Sequence, residues 1–132
     1  MTQQQIKDSV ACCGLICGLC QPEGVCGCRY NNHCGKRLSP TGCYQYDCCA
    51  KKGLRGCWEC PDAPCGMDMH AEEHVKIRAF ITCIREDGLD RFAEYIIRNR
   101  LNGIVYHREG ISGDYDLNTE AAVLALLRTG RR

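Results

Sequence analysis

The sequence predicts a small α-rich protein, with an irregular cysteine-rich amino-terminal half of the zinc-ribbon or knuckle kind packed on carboxy-terminal helices. Three observations carry that expectation. Fourteen of the 132 residues are cysteine, a share above about a tenth and far outside ordinary globular composition. All of them except Cys83 lie at or before Cys65. Beyond residue 66, apolar residues begin to recur at helical spacing.

The segment from residue 1 to 66 reads as the metal-binding half. Between Cys13 and Gly66 the large apolar residues are only Leu15, Ile16, Leu19, Val25, Tyr30, Leu38, Tyr44, Tyr46, Leu54 and Trp58. So thin a set cannot bury enough surface to offset the entropy of ordering the chain. Metal ligation supplies folding free energy directly and can make up the deficit.

Residues 67–132 read as the helical half. From about Asp68 to Glu86, Ile77, Phe80, Ile81 and Ile84 mark one amphipathic helix, broken at Gly88. Leu89, Phe92, Ala93, Ile96, Ile97 and Leu101 mark a second, stopped by Gly103. Ile104, Val105 and Tyr106 suit a short strand or an extended arm, and Glu109 to Asp116 a glycine-rich turn. Asn118 or Thr119 can cap a last helix carrying Val123, Leu124, Leu126 and Leu127, ended by Gly130. At this length one compact unit over 1–132 is expected, with the helices packed on the metal-bound half.

A cysteine content this high also fits a disulfide framework, which belongs to oxidising compartments. The polar start, Met1-Thr2-Gln3-Gln4-Gln5-Ile6-Lys7-Asp8, lacks the charged-then-apolar order of a secretory leader. No stretch approaches the roughly 20 apolar residues of a membrane span. A cytoplasmic protein is expected, in which thiols stay reduced and repeated cysteine pairs read as metal sites. The formal net charge is +1, and two four-thiolate zinc sites would bring it to about −3. That is not the strongly basic balance of a general nucleic-acid binder. The local basic groups, Lys36-Arg37, Lys51-Lys52 with Arg55, and Arg128 with Arg131 and Arg132, read as solubilising and helix-end charge. A protein partner is the remaining expectation.

Cys57-Trp58-Glu59-Cys60 and Cys17-Gly18-Leu19-Cys20 are two-spaced pairs. Such a turn points two thiolates at one ion, and thiolates at tetrahedral geometry favour zinc or iron–sulfur. The expected ligands are Cys13, Cys17, Cys20, Cys26, Cys28, Cys43, Cys48, Cys57, Cys60 and Cys65, with Cys34, Cys12 and Cys49 as further candidates. Cys13, Cys17 and Cys20 also show the spacing of radical enzymes with a four-iron cluster. The length and alternating pattern of the barrel in which those enzymes build their sites are missing. An iron–sulfur electron carrier shares the close spacings.

His70-Ala71-Glu72-Glu73-His74 matches the inverted zinc-peptidase pattern, with its histidines on one helix face. Only 58 residues follow His74, and the plainer reading is an exposed first helical turn. His107, Asp114, Tyr115 and Asp116 could do acid–base work, or simply order a loop and cap a helix. Cys83, among apolar helical residues, reads as a small core side chain.

The run Cys13-Gly14-Leu15-Ile16-Cys17-Gly18-Leu19-Cys20 resembles the opening of a family of small cysteine-rich bacterial and archaeal proteins of unknown function. Its members begin Cys-Gly-Leu-x-Cys-x-x-Cys. They continue with a close pair, a four-spaced pair, and a Cys-x-x-Cys ending shortly before Pro-Cys. Here these are Cys26 with Cys28, Cys43 with Cys48, Cys57 with Cys60, and Pro64-Cys65. The resemblance covers roughly residues 12 to 66, and Gly113-Asp114-Tyr115-Asp116 with the last helix is similar to some members. It departs at Cys26-Gly27-Cys28, one residue shorter than the family's Cys-x-Gly-Cys. The resemblance implies zinc binding and carries no established activity.

The expectation is therefore two zinc ions, or three, held mainly for structure, in an interaction or adaptor module. The alternatives are iron–sulfur electron transfer, thiol-based metal buffering, or a small enzyme using His107, Asp114 and Asp116.

Overall fold

A computed structural model of the chain describes residues 2–16, 19, 44–106 and 113–131. Among them are five α-helices: α1 (Gln3–Ser9), α2 (Tyr44–Lys52), α3 (Val75–Asp87), α4 (Leu89–Leu101) and α5 (Glu120–Thr129). Two 3-10 turns, Cys57–Glu59 and Asp68–His70, lie between α2 and α3. Val10 and Ile16 form an isolated antiparallel bridge. Residues 17, 18 and 20–43 of the segment expected to be ribbon-like, with Cys17, Cys20, Cys26, Cys28, Cys34 and Cys43, lie outside the described residues.

The helices of the second half stand where apolar spacing puts them. On α3 it buries Ile77, Phe80, Ile81 and Ile84, together with Cys83. On α4 it buries Phe92, Ala93 and Ile96, and on α5 Val123, Leu126 and Leu127. α3 packs most extensively on α5, and α4 packs on both. Phe80 sits at the centre, edge-on to Phe92 at 5.3 Å and to Tyr115 at 5.7 Å between ring centroids. Edge-to-face geometry adds to the area these rings bury. Thr119 caps α5 by accepting from the Ala122 amide at 3.1 Å, and Gly130 ends it in the left-handed conformation at φ 68°.

Several details differ from expectation. α3 begins at Val75, not near Asp68, because the chain first makes the Asp68–His70 turn with Asp68 at φ 50°. Leu101 is 84% exposed and takes no part in the core. Ile104–Tyr106 forms no strand among the described residues; the Val105 amide donates to Asp114 Oδ2 at 2.7 Å and the Val105 carbonyl accepts from the Asp114 amide at 2.9 Å. α1 and α2 were not anticipated. α1 is closed by a capping box: the Gln5 amide donates to Thr2 Oγ1 at 3.2 Å, and the Thr2 amide donates to Gln5 Oε1 at 2.8 Å. Its Ile6 docks in the core, and α1 packs on α4 with Lys7 paired to Asp90.

Candidate metal centre

The thiols gather where α2, the Cys57–Glu59 turn and residue 12 meet. α2 carries its basic residues, Lys51 and Lys52, in the last turn, where the helix dipole favours them. Its Cys49 faces inward and is 2% exposed. The chain reverses after Gly53, and the Leu54 amide donates to Cys49 O at 2.8 Å. The Cys57 amide then donates to Cys12 O at 2.9 Å, and the Cys60 amide to Cys57 O at 2.9 Å. Arg85 on α3 donates to the carbonyls of Pro61 and Ala63, tying the following loop to the helical core. Gly56 is required here, since a Cβ would lie 2.2 Å from the Trp58 ring.

Cys12, Cys49, Cys57 and Cys60 thus share one buried cluster, walled by Ala63 and Ile81, with Trp58, Tyr46 and Leu54 packed on it. The sulfurs of Cys49 and Cys57 are 3.7 Å apart. Cys12 donates to Arg55 O at 3.4 Å and also hydrogen-bonds with Cys49. That bond with Cys12 lowers the Cys49 pKa, but the bond with Cys57 and burial outweigh it, and the thiol is pushed up to about 12. On the rim, Lys52 Nζ donates to Cys60 Sγ at 3.5 Å. The Cys60 bond and the charge of Cys48 raise the Lys52 pKa. The charge of Cys48, then burial, raises that of Tyr44. Among the described residues, no group of three or more His, Cys, Asp or Glu side chains is arranged so that it could hold a metal ion.

Of the expected ligands, Cys57 and Cys60 come together, with Cys48 half-buried nearby on α2 and Cys65 exposed. Cys12 and Cys49, the further candidates, are in the cluster itself. Cys13 is buried in a separate cluster with Ala11 and Ile77. The signal for Cys49 was its place one residue after Cys48. On a helix that puts it on a different face from Cys48, so only one of the two faces inward.

The two histidines of the 70–74 motif do not share a helix face. His70 is fully buried in the 3-10 turn, not exposed in a first helical turn. Its Nε2 lies 3.2 Å from Cys13 O; a carbonyl only accepts, so Nε2 carries the proton. Among the described residues Nδ1 has no hydrogen-bond partner. Burial lowers the His70 pKa. His74 precedes α3, and its Nδ1 lies 3.1 Å from Asp68 O.

In the acidic turn, Asp114 Oδ2 accepts from the Val105 amide at 2.7 Å and Asp116 Oδ2 from the Gly113 amide at 2.8 Å. Asp116 also pairs with Lys76 at 3.0 Å. An open hollow of about 400 Å³ lies beside Asp116, lined by Lys76, His74 and Leu117 among others. Tyr115 is buried and accepts from Asn99. His107 lies outside the described residues. Cys83 is buried in α3 as its spacing suggests, and burial with the nearby Asp87 charge pushes its thiol up to about 12.

No helix among the described residues is long and apolar enough to cross a membrane. The chain matches no family model, no curated protein and no solved structure.

Proposed function

We propose that this is a zinc-binding protein whose metal is mainly structural, and that it serves as an interaction or adaptor module. The observation that supports this best is the meeting of Cys12, Cys49, Cys57 and Cys60, from three separate stretches of chain, in one buried cluster. A lone buried thiol packs as a small hydrophobe, but several thiols brought together from separate stretches of chain suit a tetrahedral soft-metal site. Four thiolates close the coordination sphere and leave no position for substrate water, so such an ion holds structure and does no hydrolysis. Zinc has no redox chemistry of its own and suits this role.

The backbone partners of Asp114 and Asp116 weigh against an acid–base site at that turn. Protein purified without added metal, analysed for zinc, iron and sulfide and by visible absorption, tests the reading. Zinc in a colourless protein is expected. Iron with sulfide in a brown one would replace the proposal with electron transfer.

A further inference from the structure

We infer that one metal ion is held by a single quartet, Cys12, Cys49, Cys57 and Cys60, whose thiols share one buried cluster and close around the ion only when it binds. This rests on the zinc-binding reading above and names the ligands of one of its ions. A zinc ion with Zn–S bonds of about 2.3 Å at tetrahedral angles spaces its sulfurs about 3.8 Å apart. Cys49 and Cys57 already stand at 3.7 Å, the length of one tetrahedron edge. Cys12 lies in the same buried cluster, close enough to act on the Cys49 thiol. Cys60 follows Cys57 directly after the 3-10 turn, in the two-spaced order common among structural zinc ligands.

The surroundings agree with a closed site. All four residues are at most 8% exposed, against the apolar wall of Ala63 and Ile81. Binding one divalent zinc ion by four thiols releases four protons and leaves a net charge of −2 on the centre. Cys12 gives up its bond to Arg55 O in the process. Lys52 is placed to offset part of the charge, 3.5 Å from Cys60 Sγ. The rival ligands, Cys48 and Cys65, are on the open side: Cys48 is half-buried and Cys65 exposed. The quartet joins α2, the Cys57–Glu59 turn and the segment after α1, so one ion fixes three parts of the chain.

Cadmium-113 substitution of the full chain, with correlation spectra between the metal and cysteine β-protons, reads the ligands directly in the wild-type protein. One cadmium signal coupled to Cys12, Cys49, Cys57 and Cys60 is expected. If the cadmium coupled to Cys57 and Cys60 couples instead to Cys48 or Cys65, the quartet is wrong while the zinc reading stands. If the chain binds neither zinc nor cadmium, both fall. In parallel, Cys12→Ser and Cys49→Ser should each lose one metal equivalent per chain, and Cys65→Ser none of that ion. Full metal content in folded Cys12→Ser and Cys49→Ser would also overturn the quartet.

Discussion

The side-chain amide of Asn99 donates to the phenol oxygen of Tyr115 at 3.0 Å, in a part of the core where both residues are buried. The same Nδ2 donates to Leu126 O at 3.0 Å, near the end of α5. One polar residue on α4 therefore ties the acidic turn and the last helix together. Asn99→Ala takes the Asn99 donor from the buried Tyr115 phenol oxygen and one of two donors from Leu126 O, which keeps the Gly130 amide, and should cost about 1–3 kcal/mol. Tyr115→Phe removes only the phenol oxygen and should cost about 1 kcal/mol. Urea unfolding of both variants checks the order; equal and negligible losses would show that the bonds do not matter.

Asp114 and Asp116 each accept from a backbone amide, a job an amide oxygen can also do. Asp114→Asn should therefore be mild, while Asp114→Ala should cost about 1–2 kcal/mol. Asp116→Asn additionally loses the half-exposed pair with Lys76, worth at most about 1 kcal/mol. Thermal melts of the three variants measure this. A large loss in Asp114→Asn would mean that the charge itself is needed.

The helical half should weaken in alkali. Burial, with the Asp87 charge, raises Cys83 from 9.0 to about 12. Burial, only partly opposed by the Asn99 bond, raises Tyr115 from 10.0 to about 12. Both groups hold their protons more tightly folded than unfolded. Stability is then full below about pH 9 and falls as the pH rises through 9–12. Helix melting temperatures at pH 8 and pH 11 should show the drop, and Cys83→Ala should make it smaller. A flat profile in wild type would contradict the burial of both groups.

The parts of the fold legible in the sequence are those written in long apolar periods. α4 and α5 follow Phe92, Ala93, Ile96, Val123, Leu126 and Leu127, with Gly88 marking the start of α4 and the Thr119 cap and Gly130 stop bounding α5. α1 escaped because seven residues with one buried apolar side chain, Ile6, carry no period; its signal was the Thr2–Gln5 capping box. α2 escaped because its inward residues are Gln45 and Cys49, so cysteines read only as ligands concealed a helix face. Gln45 is buried because its amide donates to Met67 O at 2.6 Å and its oxygen accepts from the Met69 amide at 3.3 Å. Hydrophobic patterning cannot register that kind of burial. His70 was misread for the same reason, since its bond to Cys13 O is long-range. At the candidate centre, the Cys57–Cys60 pair was legible from spacing. The entry of Cys12 and Cys49 depends on which way α2 faces, which spacing does not encode.

Trp58 offers the most direct test of the central claim, because it packs on the thiol cluster and on the main helical core, with Arg55 5.7 Å from its ring centroid. The measurement is near-ultraviolet circular dichroism of the reduced protein before and after removal of all metal by chelator, with helix content followed in the far ultraviolet. If thiolate-bound zinc staples the cysteine-rich half, the Trp58 signal collapses while much of the helix signal from α3, α4 and α5 survives. Trp58 keeping its native signal in a verified metal-free, reduced protein would contradict the account.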